Sequence, residues 1–207
     1  MAGFEDTPIR DAAGLAGEIA RATAEAGEHA RTMPPVERWN PPFCGDIDME
    51  IRADGTWYYM GTPITRAPLV RLFSTVLRKD EDEKTYLVTP VEKVGIRVQD
   101  APFVAVEMTQ TVEDGKSVLC FRTNVGDIVE AGPEHGLRFV IAGEKQQLKP
   151  YLHVRGRLEA LLSRAVTYDL IALGETIETA DGSLFAIRSG DCVFPVMRAD
   201  ELERLST

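Results

Sequence analysis

Apolar residues recur at two spacings along this chain, and the two spacings alternate. Ile47, Met49 and Ile51 are interleaved with Asp48, Glu50 and Arg52, the period of a half-buried strand. Asp54-Gly55 predicts a hairpin turn. Trp57-Tyr58-Tyr59-Met60, closed by Gly61, predicts a second strand. Pro63 and Pro68 bracket a helix start, because proline is tolerated in a first turn. Leu69, Leu72, Phe73 and Val76 then keep helical spacing to about Leu77, and the acidic tract Asp80-Glu81-Asp82-Glu83 is expected to end that helix. Strands return at Tyr86 to Thr89 and at Val94 to Val98. Phe103 to Gln110 and Ser117 to Thr123 flank Asp114-Gly115 and predict a middle hairpin.

The same order then comes back. Leu137, Phe139 and Ile141 alternate as Ile47, Met49 and Ile51 do. Tyr151-Leu152-His153-Val154 runs to Gly156 as the Trp57 strand runs to Gly61. Leu158, Leu161, Leu162, Ala165 and Val166 read as a second helical stripe. Asp181-Gly182 turns into Leu184 to Arg188, and a last strand covers Cys192 to Val196. Few residues are identical between the halves, so the repeat is one of element order. One helix per half cannot bury itself and must lie on a sheet. Hairpin connections make the pairing mostly antiparallel, which gives an α+β class: an internally duplicated strand–helix–strand unit, each sheet packed with one helix. Ahead of it, Leu15, Ile19, Ala22 and Ala26 space as a weakly amphipathic helix within Ala12 to Ala30, interrupted by glycines and ended by Pro34-Pro35. The expected organisation is an N-terminal helix and extended linker over residues 1–38, a first repeat with the middle hairpin over 39–125, and a second repeat over 126–207.

A chain of 207 residues buries roughly 70% of its unfolded surface and needs no disulfide or metal to fold. Its formal charge of −10 argues against general nucleic-acid affinity, which needs clustered Lys and Arg. Cys44, Cys120 and Cys192 match no metal spacing and are expected to be small core residues in a reducing cytoplasm. No run of ~18 apolar residues predicts a membrane span, and the first residues show no apolar signal core.

Motifs for chemistry are few. There is no GxxxxGK[ST], no GxGxxG and no GxSxG. His29, His135 and His153 share no ligand spacing, and Asp46, Asp48 and Glu50 lack the rest of a calcium loop, so no cofactor or metal is expected. Two proline corners are distinctive: Val88-Thr89-Pro90-Val91-Glu92-Lys93 and Gln99-Asp100-Ala101-Pro102-Phe103. Each is a rigid turn tied by its polar side chains, or a rigid loop that presents Thr89, Glu92, Lys93 and Asp100 to a ligand.

These corners also carry a resemblance. Cys44-Gly45, Ile47, Asp54-Gly55-Thr56-Trp57, Gly61, Pro63-Ile64, Leu69-Val70, Leu72-Phe73, Tyr86 through Lys93 and Asp100-Ala101-Pro102-Phe103 resemble the bacterial domain-of-unknown-function family 1285. Gly156, Leu158, Leu161-Leu162 and Ser189-Gly190 through Phe194-Pro195 are similar to its second half, so the likeness spans about residues 39–197. At Asp191-Cys192 this chain has an acid and a thiol where Gly or aromatic character is expected. The resemblance implies an internal duplication with a C-terminal half similar to pleckstrin-homology-like folds, and a binding or signalling role with a ligand or partner near the meeting of the halves. It implies no reaction.

The first expectation is therefore a non-enzymatic binding module for a small molecule or a protein. Trp57 and Tyr59 would line its site, with Thr89, Glu92, Lys93, Asp100, Arg155 and Arg188 as polar contacts or anchors. A protein-interaction module acting through sheet edges ranks next. An enzyme using Glu92, Asp100 and Asp191 as acid–base groups ranks below both. Sequence pattern does not fix the oligomeric state.

Overall fold

The alternation at residues 47–51 folds as a strand, β1 (Phe43–Ile51), with Met49 and Ile51 fully buried. It pairs antiparallel with β2 (Trp57–Tyr59) across the Asp54-Gly55 turn. Gly55 has φ +81°, and Asp54 Oδ1 accepts the Thr56 amide at 2.9 Å. That hydrogen bond, first among the causes, holds the Asp54 carboxyl below its ordinary pKa. These coordinates come from a computed structural model that describes residues 12–25, 33–143, 147–180 and 182–201. The expected helix beyond Glu25, with Ala26 and His29, lies outside the described residues, as do Asp181 and the tail after Glu201.

The chain divides into two compact units, Met1–Gln99 and Asp100–Thr207. In the first, β2 continues into the short β3 (Thr62–Pro63) and then α2 (Ala67–Thr75). The strands β4 (Leu77–Lys79), β5 (Thr85–Val88) and β6 (Lys93–Val98) follow. The sheet order is β3-β2-β1-β6-β5-β4, with β1 and β6 parallel and the other pairs antiparallel. Phe73 of α2 stacks on Trp57 at 6.1 Å and fills the core with Met49, Ile51, Leu77 and Leu87. The N-terminal helix α1 (Ala12–Glu25) buries Leu15, Ala16 and Ile19 and packs on α2.

One expectation is corrected here. The acidic tract does not end α2: Val76 does, β4 intervenes, and the tract forms the β4–β5 turn. The reason is local. Leu77 and Arg78 are both buried, so the chain enters the sheet directly.

The second unit opens with a long hairpin, β7 (Phe103–Glu113) and β8 (Lys116–Thr123), turned by Asp114 and Gly115 at φ +50° and +78°. Then come β9 (Ile128–Glu130), β10 (Leu137–Ala142), β11 (Gln147–Arg155) and β12 (Leu158–Leu162). Their sheet order is β10-β11-β12-β7-β8-β9, with β12 and β7 parallel. After α3 (Arg164–Ala172), β13 (Glu175–Thr179), β14 (Gly182–Ser189) and β15 (Cys192–Arg198) form a three-stranded sheet.

The helical stripe expected from Leu158 is a second correction. Leu158, Ala160 and Leu162 are buried and alternate, which is period two, and the helix begins only after Ser163. Ser163 accepts the Val166 amide and caps α3. Over so short a run both periods find apolar residues: Leu158, Leu161 and Leu162 at helical spacing, and Leu158, Ala160 and Leu162 at strand spacing. The cysteines also differ from expectation. Cys44 is exposed, while Cys120 and Cys192 are half-buried. Cys120 lies between Leu119 and Phe121, whose side chains take the buried face of β8.

The duplication is plain in the element order. Three strands, a helix and three strands occur as β1–β3, α2, β4–β6, and again as β10–β12, α3, β13–β15. Assembly differs between the two. In the first unit β6 pairs with β1 and one sheet holds both triplets. In the second, the middle hairpin extends the sheet from the other end of its triplet: β7 pairs with β12, and β13–β15 stand as their own sheet. The hairpin, expected with the first repeat, thus belongs to the sheet of the second unit. Among the described residues no helix is long and apolar enough to cross a membrane.

Candidate functional site

The β2–β3 turn is made by Met60 and Gly61, with φ +48° and +73°. Such two-residue turns favour Asn-Gly, and a left-handed methionine costs roughly 1–2 kcal/mol. Met60 is 60% exposed, so burial does not offset that cost. Its side chain lines a groove of about 320 Å³, within the range of small-ligand sites. Ala12 and Ala13 of α1 form one side. Tyr59, Met60, Thr62 and Pro63 come from the hairpin, Ile64, Thr65 and Arg66 from the connection, and Leu69 from α2.

Local sequence builds this wall. Pro63 and Pro68 keep the connection extended between sheet and helix; the Ile64 amide donates to Trp57 O at 2.8 Å, and Arg66 has an extended backbone at the helix N-cap. The Arg66 side chain gives α2 no cap. It is exposed and forms no ion pair among the described residues. Apart from Tyr59 and Arg66, the described lining residues carry no titratable side chain. From its described residues the groove offers apolar contact and one cation, and among them there is no carboxylate, histidine or thiol for acid–base, nucleophilic or metal chemistry.

Of the sequence-predicted site residues, only Tyr59 is in this groove. Trp57 is core, 1% exposed, and its Nε1 is buried with no acceptor among the described residues. Thr89 is also buried: its Oγ1 accepts the Val91 and Glu92 amides at 3.3 and 3.1 Å, and its own amide donates to Glu92 O. That corner is a closed turn. Lys93 donates to Asp80 at 3.0 Å and lies 4.6 Å over the Tyr86 ring. Burial raises the Asp80 carboxyl, but hydrogen bonds from Arg78 and Lys93 outweigh it, and its pKa is held below the ordinary value. Tyr86 donates to Asp82 at 2.5 Å, which, with lesser help from burial, pushes the phenol up to about 12.

In the second unit Asp100 accepts from Lys149 at 2.6 Å and Tyr151 at 2.7 Å. Burial first, then the Asp100 hydrogen bond, raises Tyr151 to about 12. Arg138 stacks 4.4 Å over the Tyr151 ring and holds Glu159 with two hydrogen bonds. Arg155 binds Asp127 at 2.8 Å and lies over Phe103, while Arg188 of β14 binds Glu175 of β13 at 2.8 Å. Every one of these groups already has a protein partner, which fits structural ties. Of the acids weighed for catalysis, Glu92 is in the first unit; in the second, Asp100 is held by Lys149 and Tyr151, and exposed Asp191 pairs with Lys116. His135 and His153 stack at 5.7 Å, a proximity no spacing rule foretold. The His153 ring nitrogens lie 2.7 Å from Glu134 O and Gly156 O. Among the described residues no three His, Cys, Asp or Glu side chains gather as a metal site.

Comparison with known proteins bears on the frame that carries the groove. Residues 34–101 match the N-terminal domain of DUF1285, a domain of unknown function, and residues 102–196 match the C-terminal domain of the same family. The chain belongs to the DUF1285 family. A crystal structure of a DUF1285 family protein from Silicibacter pomeroyi DSS-3 is 46% identical with a TM-score of 0.81, covering 94% of this chain and 98% of that one. A second DUF1285 family protein, from Shewanella baltica OS155, is 28% identical over 60% of this chain and 90% of its own, with a TM-score of 0.47. No curated protein matches the chain. The DUF1285 N-terminal match begins at residue 34, so Ala12 and Ala13 add to the groove from outside the matched segment.

Met60, Ile64, Arg66 and Leu69 were not legible as site residues. Leu69 reads as helix core, and Arg66 as one of 23 basic residues. The Pro63–Pro68 bracket was the available signal, because it holds a connection open beside a helix start.

Proposed function

We propose that this DUF1285 protein is a non-enzymatic binding protein whose ligand is a small molecule held in the groove between α1, the β2–β3 hairpin and α2. The observation that carries the reading is Met60, an exposed apolar side chain kept in a left-handed turn at the groove wall. Strained positions of this kind concentrate at ligand sites. The apolar lining supports binding. The reading includes a reducing cytoplasm, supported by three free thiols.

A library of small acids, alcohols and aromatic compounds, titrated into isotopically labelled full-length protein, tests this. Bound compounds should shift amide resonances between residues 59 and 69. Thr62→Trp should abolish those shifts, since Thr62 is exposed and an indole there fills the groove without disturbing the core. Shifts confined to other segments, or shifts insensitive to Thr62→Trp, would overturn the assignment.

A further inference from the structure

The chemistry of the groove narrows the class of ligand. Its walls are apolar over Pro63, Ile64, Leu69 and the methionine thioether, so they favour a flexible hydrocarbon body. Among the described lining residues one cation, Arg66, stands with them. Its guanidinium is exposed and unpaired among the described residues, in a protein whose other described arginines largely face carboxylates. A guanidinium offers a planar fork that matches a carboxylate. Arg66 is also the N-cap of nine-residue α2, so the positive end of the helix dipole adds to its field.

Volume sets the size. At ~30 Å³ for each water-sized group, a space of about 320 Å³ takes about ten heavy atoms. Resting on the reading above, we propose that the ligand is a medium-chain aliphatic carboxylate, its chain along Pro63, Ile64 and Leu69 and its carboxylate on Arg66. The net charge of −10 opposes anions at long range. Screening over ~8 Å at physiological ionic strength leaves the contact cation dominant.

Octanoate and 1-octanol have the same chain length and differ in the head group. Calorimetric titration of each into the full chain separates acid recognition from apolar burial. The wild type should bind octanoate about tenfold more tightly than octanol, the range for a charge-assisted hydrogen bond at a partly exposed site. Arg66→Gln should erase that preference and leave octanol affinity unchanged. Met60→Asn, which suits the left-handed turn, should raise the melting temperature and weaken both compounds about threefold, which separates lost binding from lost folding. Equal or tighter octanol binding that Thr62→Trp blocks would overturn the carboxylate inference and leave the groove reading standing. An octanoate preference that survives Arg66→Gln would overturn the role of Arg66. Failure of both compounds to bind at millimolar concentration, with a library that also finds no ligand at residues 59–69, would overturn both readings.

Discussion

Arg78 is 7% exposed on an edge strand, yet its guanidinium is fully occupied. It donates to Asp80 from Nε and Nη2, and to Val36 O and Trp39 O from Nη1 at 2.9 and 2.7 Å. This one side chain ties the proline-rich segment before β1 to β4. Arg78→Ala frees two carbonyls and leaves Asp80 to Lys93 alone, so it should lower stability by about 3 kcal/mol, the low end for breaking a buried pair, read by urea unfolding. The pH dependence has a definite sign. Asp80 titrates below its ordinary range when folded, so the unfolded chain takes up the proton first. Its contribution is complete above the ordinary carboxylate range and is lost as pH falls through the lower folded value. Asp80→Asn should therefore lose stability at neutral pH and show a shallower acid limb than wild type. Tyrosine absorbance gives an independent check at high pH. Tyr86 and Tyr151, raised to about 12, should ionise well above the ordinary tyrosine range, and Tyr86→Phe should remove one late step.

At the scale of elements, two glycines separate close packing from mere proximity. A Cβ on Gly174, between α3 and β13, would sit 2.0 Å from the Phe185 ring, which is buried on β14. A ring held by its sheet cannot swing aside, so Gly174→Ala should destabilise by about 2–3 kcal/mol. A Cβ on Gly95 would meet Asp46 Oδ1 at the same 2.0 Å, but Asp46 is exposed and its carboxylate can rotate away. Gly95→Ala should cost less than about 1 kcal/mol, and thermal melts of the two variants give the contrast. The sequence carried most of this level where local chemistry decides. Alternation at 47–51 and the Asp54-Gly55 and Asp114-Gly115 turns were legible because the pattern and the turn are contiguous. Leu158 to Leu162 misread as helix because five residues satisfy both periods and the true helix signal, Ser163, comes after them. The groove was harder. Tyr59 is an aromatic that either core or site explains, and the left-handed backbone of Met60 has no signature in its side chain.

At the scale of the whole molecule, the sequence carried the repeated order and missed the partners. Order follows from local pattern. The choice of β12 by β7 is a pairing between residues 57 apart in sequence, and nothing in either strand names the other. That pairing decides where the second unit begins. Phe103 and Phe121 of the hairpin are fully buried, and so are Leu152 and Leu158 across the sheet. Removing β7 and β8 would strip β12 of its parallel neighbour, leave β9 without a partner strand and remove β7 from beneath α3. A fragment of residues 100–207 keeps its own sheet and core and should unfold in urea as one cooperative transition. A fragment of residues 126–207, cut at the boundary the repeat alone suggests, should show no such transition. Cooperative folding of the shorter fragment would mean that the repeat, rather than the sheet, is the folding unit.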